Sequence, residues 1–347
     1  MKKKHTAYLV LSLVIATACT DTIDNFTFKD IDPKIVVHGA ISIEGQASVN
    51  ISRSLSLNEP AKYYPLERAK IRLLQGNEES AVLTYDSNGW YSAKNFIVQT
   101  GTTYTITAEN DGYERATVDF DIPEKPVVST LSWRKIYEES LYQGRSTYIE
   151  ISANLKDNPA TDDYYTISMG GRLLVKVFYV NGNELNYYYG DDYDSVGYKY
   201  KDIDVVLGSS DKAVKVAGNY GRYSLADPQS DITNGDELVL SDEHFKEAEN
   251  TIQLKVFPSN FYSINGDIAD TTHILWLNIA KVNRTYFTYA LNSAKVQETS
   301  DNPLVEPITP FNPVEGGLGL VYGFSLTTDT IKVQLSQSDI WGWYYFE

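Results

Sequence analysis

The sequence predicts a mainly β protein: an N-terminal β-sandwich followed by a larger β-rich domain with two short helices. Three observations carry this reading. Short runs alternate apolar and polar residues at a period of two, the spacing of a strand with one buried face. Tyrosine is abundant at 27 residues and methionine occurs only twice, and Val, Ile and Thr are frequent, a composition that suits pleated surfaces. Gly, Asn and Asp punctuate the runs at turn spacing. Cys19 is the single cysteine, so no disulfide joins the strands and each domain must bury a core of its own.

Residues 33–122 read as one sandwich of immunoglobulin or transthyretin type, built from seven short strands. Ile35 to Ile43 is the first, broken at Glu44-Gly45. Ala47, Val49 and Ile51 alternate with Ser48, Asn50 and Ser52, and Ala69, Ile71 and Leu73 with Lys70 and Arg72. Ala81 to Tyr85 leads into Ser87-Asn88-Gly89, a strong hairpin signal, and Trp90-Tyr91 starts the return. Tyr104, Ile106 and Ala108 alternate with threonines, and Ala116, Val118, Phe120 and Ile122 close the series. Pro123-Glu124-Lys125-Pro126 is a stiff junction that sets the domain boundary.

The second domain, 127–347, continues in the same style. Ile149, Ile151, Ala153 and Leu155 form one strand. Asp163 to Met169 and Arg172 to Val180 flank Gly170-Gly171, which reads as a hairpin. Ile252, Leu254 and Val256 form another strand. His273 to Ala280 is apolar on both faces and should be central. One short helix should follow Ser241 as N-cap, with Asp242 and Glu243 in its first turn. The other should start near Asn283 and set Phe287, Ala290, Leu291 and Ala294 on one face. Ile331, Val333 and Leu335 make a late strand. The aromatic stretch Trp341 to Phe346 reads as a final core strand.

The N-terminus carries the sharpest functional signal. Lys2, Lys3 and Lys4 precede an apolar run from Ala7 to Ala18, and Ala16-Thr17-Ala18 is a small-residue cleavage site. A secretory signal has this order, with an apolar region of about 7–15 residues, too short for the roughly 20 that span a bilayer as a helix. Residues 1–18 are therefore expected to be a signal peptide. Cys19 directly after Ala18 resembles the lipidated first residue of bacterial lipoproteins, with residues 19–32 as a polar tether. The formal net charge is −16, and removal of Lys2, Lys3 and Lys4 makes it more negative. Such a chain is a poor match for nucleic acid, whose phosphates need Lys and Arg.

A second resemblance covers nearly the whole mature chain. Pro33-Lys34-Ile35-Val36-Val37-His38-Gly39 opens it. Gly235-Asp236-Glu237 with Ser241-Asp242-Glu243-His244-Phe245 follows mid-chain. Tyr289-Ala290-Leu291, Asp301-Asn302-Pro303-Leu304-Val305-Glu306-Pro307 and Asn312-Pro313-Val314-Glu315-Gly316-Gly317-Leu318-Gly319-Leu320 complete it. In this order the segments resemble a Bacteroidota outer-membrane lipoprotein family, domain of unknown function 4249, whose usual Ile-Glu-Asn-Gly is here Val314-Glu315-Gly316-Gly317. The resemblance implies an accessory lipoprotein beside a TonB-dependent transporter and supplies no catalytic residues to carry over. Read physically, the glycines serve a turn entering a strand.

No catalytic residue, metal site or cofactor is expected. His38, His244 and His273 lack ligand spacing, and no Gly-x-Ser-x-Gly elbow occurs. The most site-like stretch is 181–200, whose candidate binding residues are Tyr187, Tyr188, Tyr189, Asp191, Asp192, Tyr193 and Asp194. Tyrosine pairs a flat apolar face with a polar tip, suited to recognition, and the aspartates lack the spacing of a calcium loop. The expected role is thus a lipid-anchored, non-enzymatic outer-membrane protein that binds or docks for a TonB-dependent transporter. Alternatives are an adhesive surface protein with a pilus-like sandwich and, less favoured, a surface hydrolase.

Overall fold

The structure, a computed structural model, describes residues 31–56, 58–140, 144–184, 193–211, 214–216, 233–235, 237–245, 249–256, 267–268, 271–300, 306–336 and 339. Two units are taken separately. In the smaller, which includes residues 55–62, Glu59 closes a turn on Ser56: its N–H donates to the Ser56 carbonyl, and its carboxylate accepts the Ser56 N–H, each at 3.0 Å. The larger unit carries every strand among the described residues.

Seven strands come first: β1 (Ile35–Ser42), β2 (Ser48–Arg53), β3 (Lys70–Gln75), β4 (Glu78–Ser87), β5 (Trp90–Ser92), β6 (Thr103–Glu109) and β7 (Ala116–Asp121). β1, β3 and β7 show the predicted alternation most cleanly, whereas β4 buries only Leu83. In β7 Ala116, Val118 and Phe120 are buried while Asp119 and Asp121 are exposed. The Asn88-Gly89 turn between β4 and β5 has both residues at positive φ, 47° and 82°, the requirement of a type I′ hairpin. These strands enclose one core around Ile35, Val37, Ile51, Ile71, Tyr104 and Phe120. Its buried Tyr91 is satisfied: the hydroxyl donates to the Leu66 carbonyl at 2.6 Å and accepts the Ala69 N–H at 2.9 Å.

The remaining strands are β8 (Val127–Ser140), β9 (Gly144–Lys156), β10 (Tyr164–Val180), β11 (Asn183–Glu184), β12 (Ser195–Val205), β13 (Leu207–Ser209), β14 (Lys215–Val216), β15 (Thr233–Gly235), β16 (Glu237–Ser241), β17 (Glu249–Val256), β18 (Asp267–Ile268), β19 (Thr271–Val282) and β20 (Leu318–Leu335). A five-stranded sheet, β15-β13-β17-β9-β8, faces the β10-β19-β20 part of a larger sheet. Ile149, Ile151, Leu254, Leu275, Leu277 and Val333 lie in the second core between them. As expected, β19 is central, flanked by β10 and β20.

Three features differ from expectation. Gly170-Gly171 is not a hairpin: β10 runs straight through it for 17 residues, in unbroken register with β19 and β12. Neither glycine adopts positive φ. A Cβ on Gly171 would sit 2.6 Å from Leu275 Cδ2 and 3.1 Å from the Ile274 carbonyl oxygen, so this glycine admits a close neighbouring strand rather than a turn. The segment after Ser241 is a single 3-10 turn, Asp242–His244, without a side-chain cap bond. The other helix, α1 (Arg284–Ser300), starts where expected and runs for 17 residues up to Asp301-Asn302-Pro303. Asn283 caps it, its Oδ1 accepting the Tyr286 N–H at 3.0 Å.

The third difference is β20: the strand expected after the glycine turn and the late strand at Ile331 to Leu335 are one strand of 18 residues. Its first half pairs parallel with β1 from Val36↔Leu318 to Ser42↔Phe324, and its second half pairs antiparallel with β19. One larger sheet therefore continues from the first core to the second, and Val314 and Val321 are buried in the first core. The residues of the C-terminal motif make this crossing. Asn312 Nδ2 donates to the Val314 and Gly317 carbonyls at 3.2 and 3.0 Å, and its Oδ1 accepts the Gly319 N–H at 3.0 Å. Glu315 bridges to Thr117 through two backbone bonds. Gly316 (φ 69°) and Gly319 (φ 121°) stand where a Cβ would meet the Arg115 and Val37 carbonyl oxygens at 2.2 and 2.0 Å. After β20, the Asp339 carboxylate accepts the Ser336 N–H at 2.8 Å and pairs with Lys135 of β8 at 2.9 Å. Trp341 to Phe346 lie outside the described residues.

Candidate functional site

The predicted recognition stretch starts at the β10–β11 hairpin. Asn181 and Gly182 both have positive φ, 50° and 76°, and Val180 pairs with Asn183 across this two-residue turn. Asp194 locks the turn: its carboxylate accepts the Asn181 N–H, and its own N–H donates to the Tyr179 carbonyl at 2.8 Å. Tyr193 lays its ring 5.0 Å from Phe178 and stays 37% exposed. These two residues come together at the hairpin base, where Asp194 is a turn residue. Tyr187, Tyr188, Tyr189, Asp191 and Asp192 lie outside the described residues, as does Cys19.

Along β12 the alternation turns Tyr198, Tyr200, Asp202 and Asp204 outward. Tyr198 and Tyr200 are 63% and 62% exposed. Asp202 takes a bidentate pair from Arg172 of β10 at 2.6 and 3.2 Å, and that guanidinium holds its carboxyl below the usual range. Arg172 also lies over the Trp276 ring of β19 at 5.9 Å. The result is an open sheet face that presents tyrosines beside a fixed ion pair.

A second feature was not read from the sequence. A cleft of about 610 Å³ runs along α1. Arg284, Phe287, Thr288, Leu291, Asn292 and Lys295 form one wall, a spacing that places all six on one helix face. Asp162, Tyr164, Ser241, Asp242 and Glu243 form the other wall. The Phe287 and Tyr164 rings meet across the floor at 4.9 Å. The helix is fixed from below. Tyr286 donates to Glu237 Oε2 at 2.7 Å and its ring lies 4.2 Å from that of Tyr322. Burial pushes the Tyr322 phenol up to about 12. The helical period of α1 was visible in the sequence. The facing wall comes from segments more than forty residues upstream, which no local signal connects to it.

Beside the cleft the carboxylates of Asp157, Asp163 and Asp242 lie within 4.8 Å of one another. Their donor chemistry would suit a hard cation. Their partners are already protein groups, however. The Lys281 ammonium pairs with Asp163, the Tyr165 hydroxyl donates to Asp157 at 2.9 Å, and Asp242 Oδ2 accepts the Asp163 N–H at 2.8 Å. Burial raises the Asp163 carboxyl against the pull of Lys281. Burial also raises Asp242, aided by the neighbouring aspartates. The cluster reads as a partly buried junction in which Lys281 pairs with the buried Asp163. Of the histidines, His273 is fully buried and accepts the Leu174 N–H at Nδ1 (3.1 Å), while His38 is exposed on β1.

Comparison with known proteins adds a family. The profile described as "Domain of unknown function (DUF4249)" matches residues 22–330. No curated protein matches the sequence. Among solved structures, one described as "Biofilm associated protein - BSP domain" aligns over 89% of this chain at 8% identity and a TM-score of 0.18. The chain spans 61% of that protein's length.

Proposed function

The chain belongs to the DUF4249 family, and on that footing we propose that it is a lipid-anchored, non-enzymatic accessory protein of the Bacteroidota outer membrane that docks on a TonB-dependent transporter. The observation that carries the docking reading is the outward row of Tyr198 and Tyr200 on β12, each more than three-fifths exposed. Large, rigid aromatics with a polar tip supply contact area at low entropic cost and are enriched where proteins meet. The anchor reading rests on the Lys2–Cys19 segment. Two or more acyl chains give stable attachment where one alone is marginal. Its mechanism is positioning: acyl chains hold the protein in the leaflet and the β12 face meets the transporter, over at least about 1,200 Å² for a stable complex.

The test is affinity capture of tagged protein from detergent-extracted outer membranes. A transporter should copurify at near-stoichiometric yield, and Tyr198→Ser with Tyr200→Ser should cut that yield by about tenfold. Copurification unchanged by the double substitution, or absent with wild-type protein, would overturn the reading. In the same strains Cys19→Ala should release the protein from the membrane.

One observation favours a second, adhesive reading. β8 is an edge strand of 14 residues that pairs only with β9 among the described strands, with Trp133 and Tyr137 exposed at 37% and 50%. Unpaired edges are templates for strand addition. Concentration-dependent polymers in sedimentation, abolished by Trp133→Lys, would favour it over transporter docking.

A further inference from the structure

The α1 cleft gathers charges of both signs that do not satisfy one another. Among the described residues, Arg284 and Lys295 make no ion pair, although Asp162, Asp242 and Glu243 line the same space. The acidic groups sit at one end. Tyr164, next to Asp162, sets its ring against that of Phe287 at 4.9 Å, one turn from Arg284. Burial pushes its phenol up, with Arg284 pulling it down and Asp162, Asp242 and Glu243 pushing it up, so the acidic groups and Arg284 share this end. Lys295 lies toward the other end of the helix, about 16 Å from Arg284 at 1.5 Å per residue. Between the ends the lining includes Phe287 and Leu291. Asn292 ties the segment that follows α1 to this face: its Oδ1 accepts the Phe311 N–H at 2.7 Å and its Nδ2 donates to the Thr309 carbonyl at 3.4 Å.

We propose that this cleft binds an extended polypeptide segment of about five residues, with a basic side chain among Asp162, Asp242 and Glu243, an apolar one over Phe287 and Leu291, and an acidic one at Lys295. The length selects the class. An extended chain advances about 3.3 Å per residue, so five residues match the 16 Å trough. A free amino acid or a zwitterionic lipid headgroup holds its two charges too close together to reach both ends. A neutral glycan leaves the charges at both ends unanswered. The volume of about 610 Å³ lies within the usual range for ligand sites, about 300–1,000 Å³. The cleft shares no residue with the β12 face, so this inference stands apart from transporter docking.

Fluorescence anisotropy on the detergent-solubilised full chain tests it. The probe is a labelled pentapeptide mixture with lysine first, aspartate last and three randomised apolar residues between. The controls are the same mixture with uncharged ends and one with lysine at both ends. The lysine–aspartate mixture should bind at least about tenfold tighter than the uncharged one. Lys295→Glu, an exposed change whose melting temperature should equal that of wild type, should lose at least about tenfold for that mixture and come to prefer the one with two lysines. Glu243→Lys should weaken the lysine–aspartate mixture as well. Equal binding of charged and uncharged mixtures, no binding up to millimolar peptide, or indifference to Lys295→Glu would overturn the proposal. So would a concentration-dependent dimer that Lys295→Glu dissociates, which would assign the cleft to a second copy of the chain.

Discussion

At Lys281 one ammonium pairs with Asp163, the buried member of a three-carboxylate cluster. Its side chain is 16% exposed and that of Asp163 only 8%. Lys281→Met leaves Asp163 buried without its cation, and breaking such a pair costs about 3–5 kcal/mol, measurable by urea unfolding at pH 7. The pH dependence has a definite sign. The Asp163 and Asp242 carboxyls are raised by burial, so the folded state holds these protons more tightly than the unfolded state. Their ionisation therefore disfavours folding as the pH climbs through the raised values. The deficit of Lys281→Met should shrink between pH 7 and pH 4, and an equal deficit at both would refute the assignment. Asp339 behaves oppositely. Burial pushes its carboxyl up, but bonds from Lys135 and Ser336 outweigh that and hold it below the usual range. The stability it contributes is complete above the ordinary carboxylate range and is lost as the pH falls through the lowered value. Asp339→Asn should therefore flatten the acid limb of the stability–pH curve.

Among the elements, β20 depends most on particular residues. Gly319→Ala would drive a Cβ to 2.0 Å from the Val37 carbonyl oxygen at φ 121° and should cost at least about 3 kcal/mol in thermal unfolding. Gly45→Ala, where nothing lies within 4 Å, should stay within about 0.5 kcal/mol. This strand also marks where sequence reading stops. β1, β2, β3, β6 and β7 were legible because each buries mainly one face, so alternation reports the strand directly, and β4 and β5 through the Asn88-Gly89 turn that joins them. Gly170-Gly171 misled because a glycine that makes room for Leu275 looks the same in sequence as one that turns the chain. The parallel β1–β20 pairing joins residues nearly three hundred apart and leaves no local trace. Its glycines and Asn312 were noticed, yet only the neighbouring backbone shows what they are for. The site was half legible for the same reason. The helical spacing of Phe287, Leu291 and Lys295 is in the sequence, whereas the facing Asp162, Asp242 and Glu243 are brought there by folding.

For the whole molecule the consequence is cooperativity. Val321 belongs to β20 and is fully buried in the first core, while Val333, on the same strand, is buried in the second. Val321→Ala removes two methyl groups from a packed site, at about 2 kcal/mol. It should lower the unfolding midpoints of both cores together, as followed by hydrogen exchange in β6 and in β9. Midpoints that separate would show that the two cores melt independently. The parallel ladder also has a mechanical meaning. Seven residue pairs join β1 to β20 side by side. A pull on the residues leading into Ile35, opposed by a pull beyond Leu335, loads those pairs all at once, along the strands. Hydrogen bonds loaded in this shear geometry break together rather than one by one. In a single-molecule stretching experiment the ladder should rupture at a markedly higher force than the β4–β5 hairpin, which peels open from its end. A protein held by its N-terminus and pulled from beyond β20 would thus carry the load along these seven pairs.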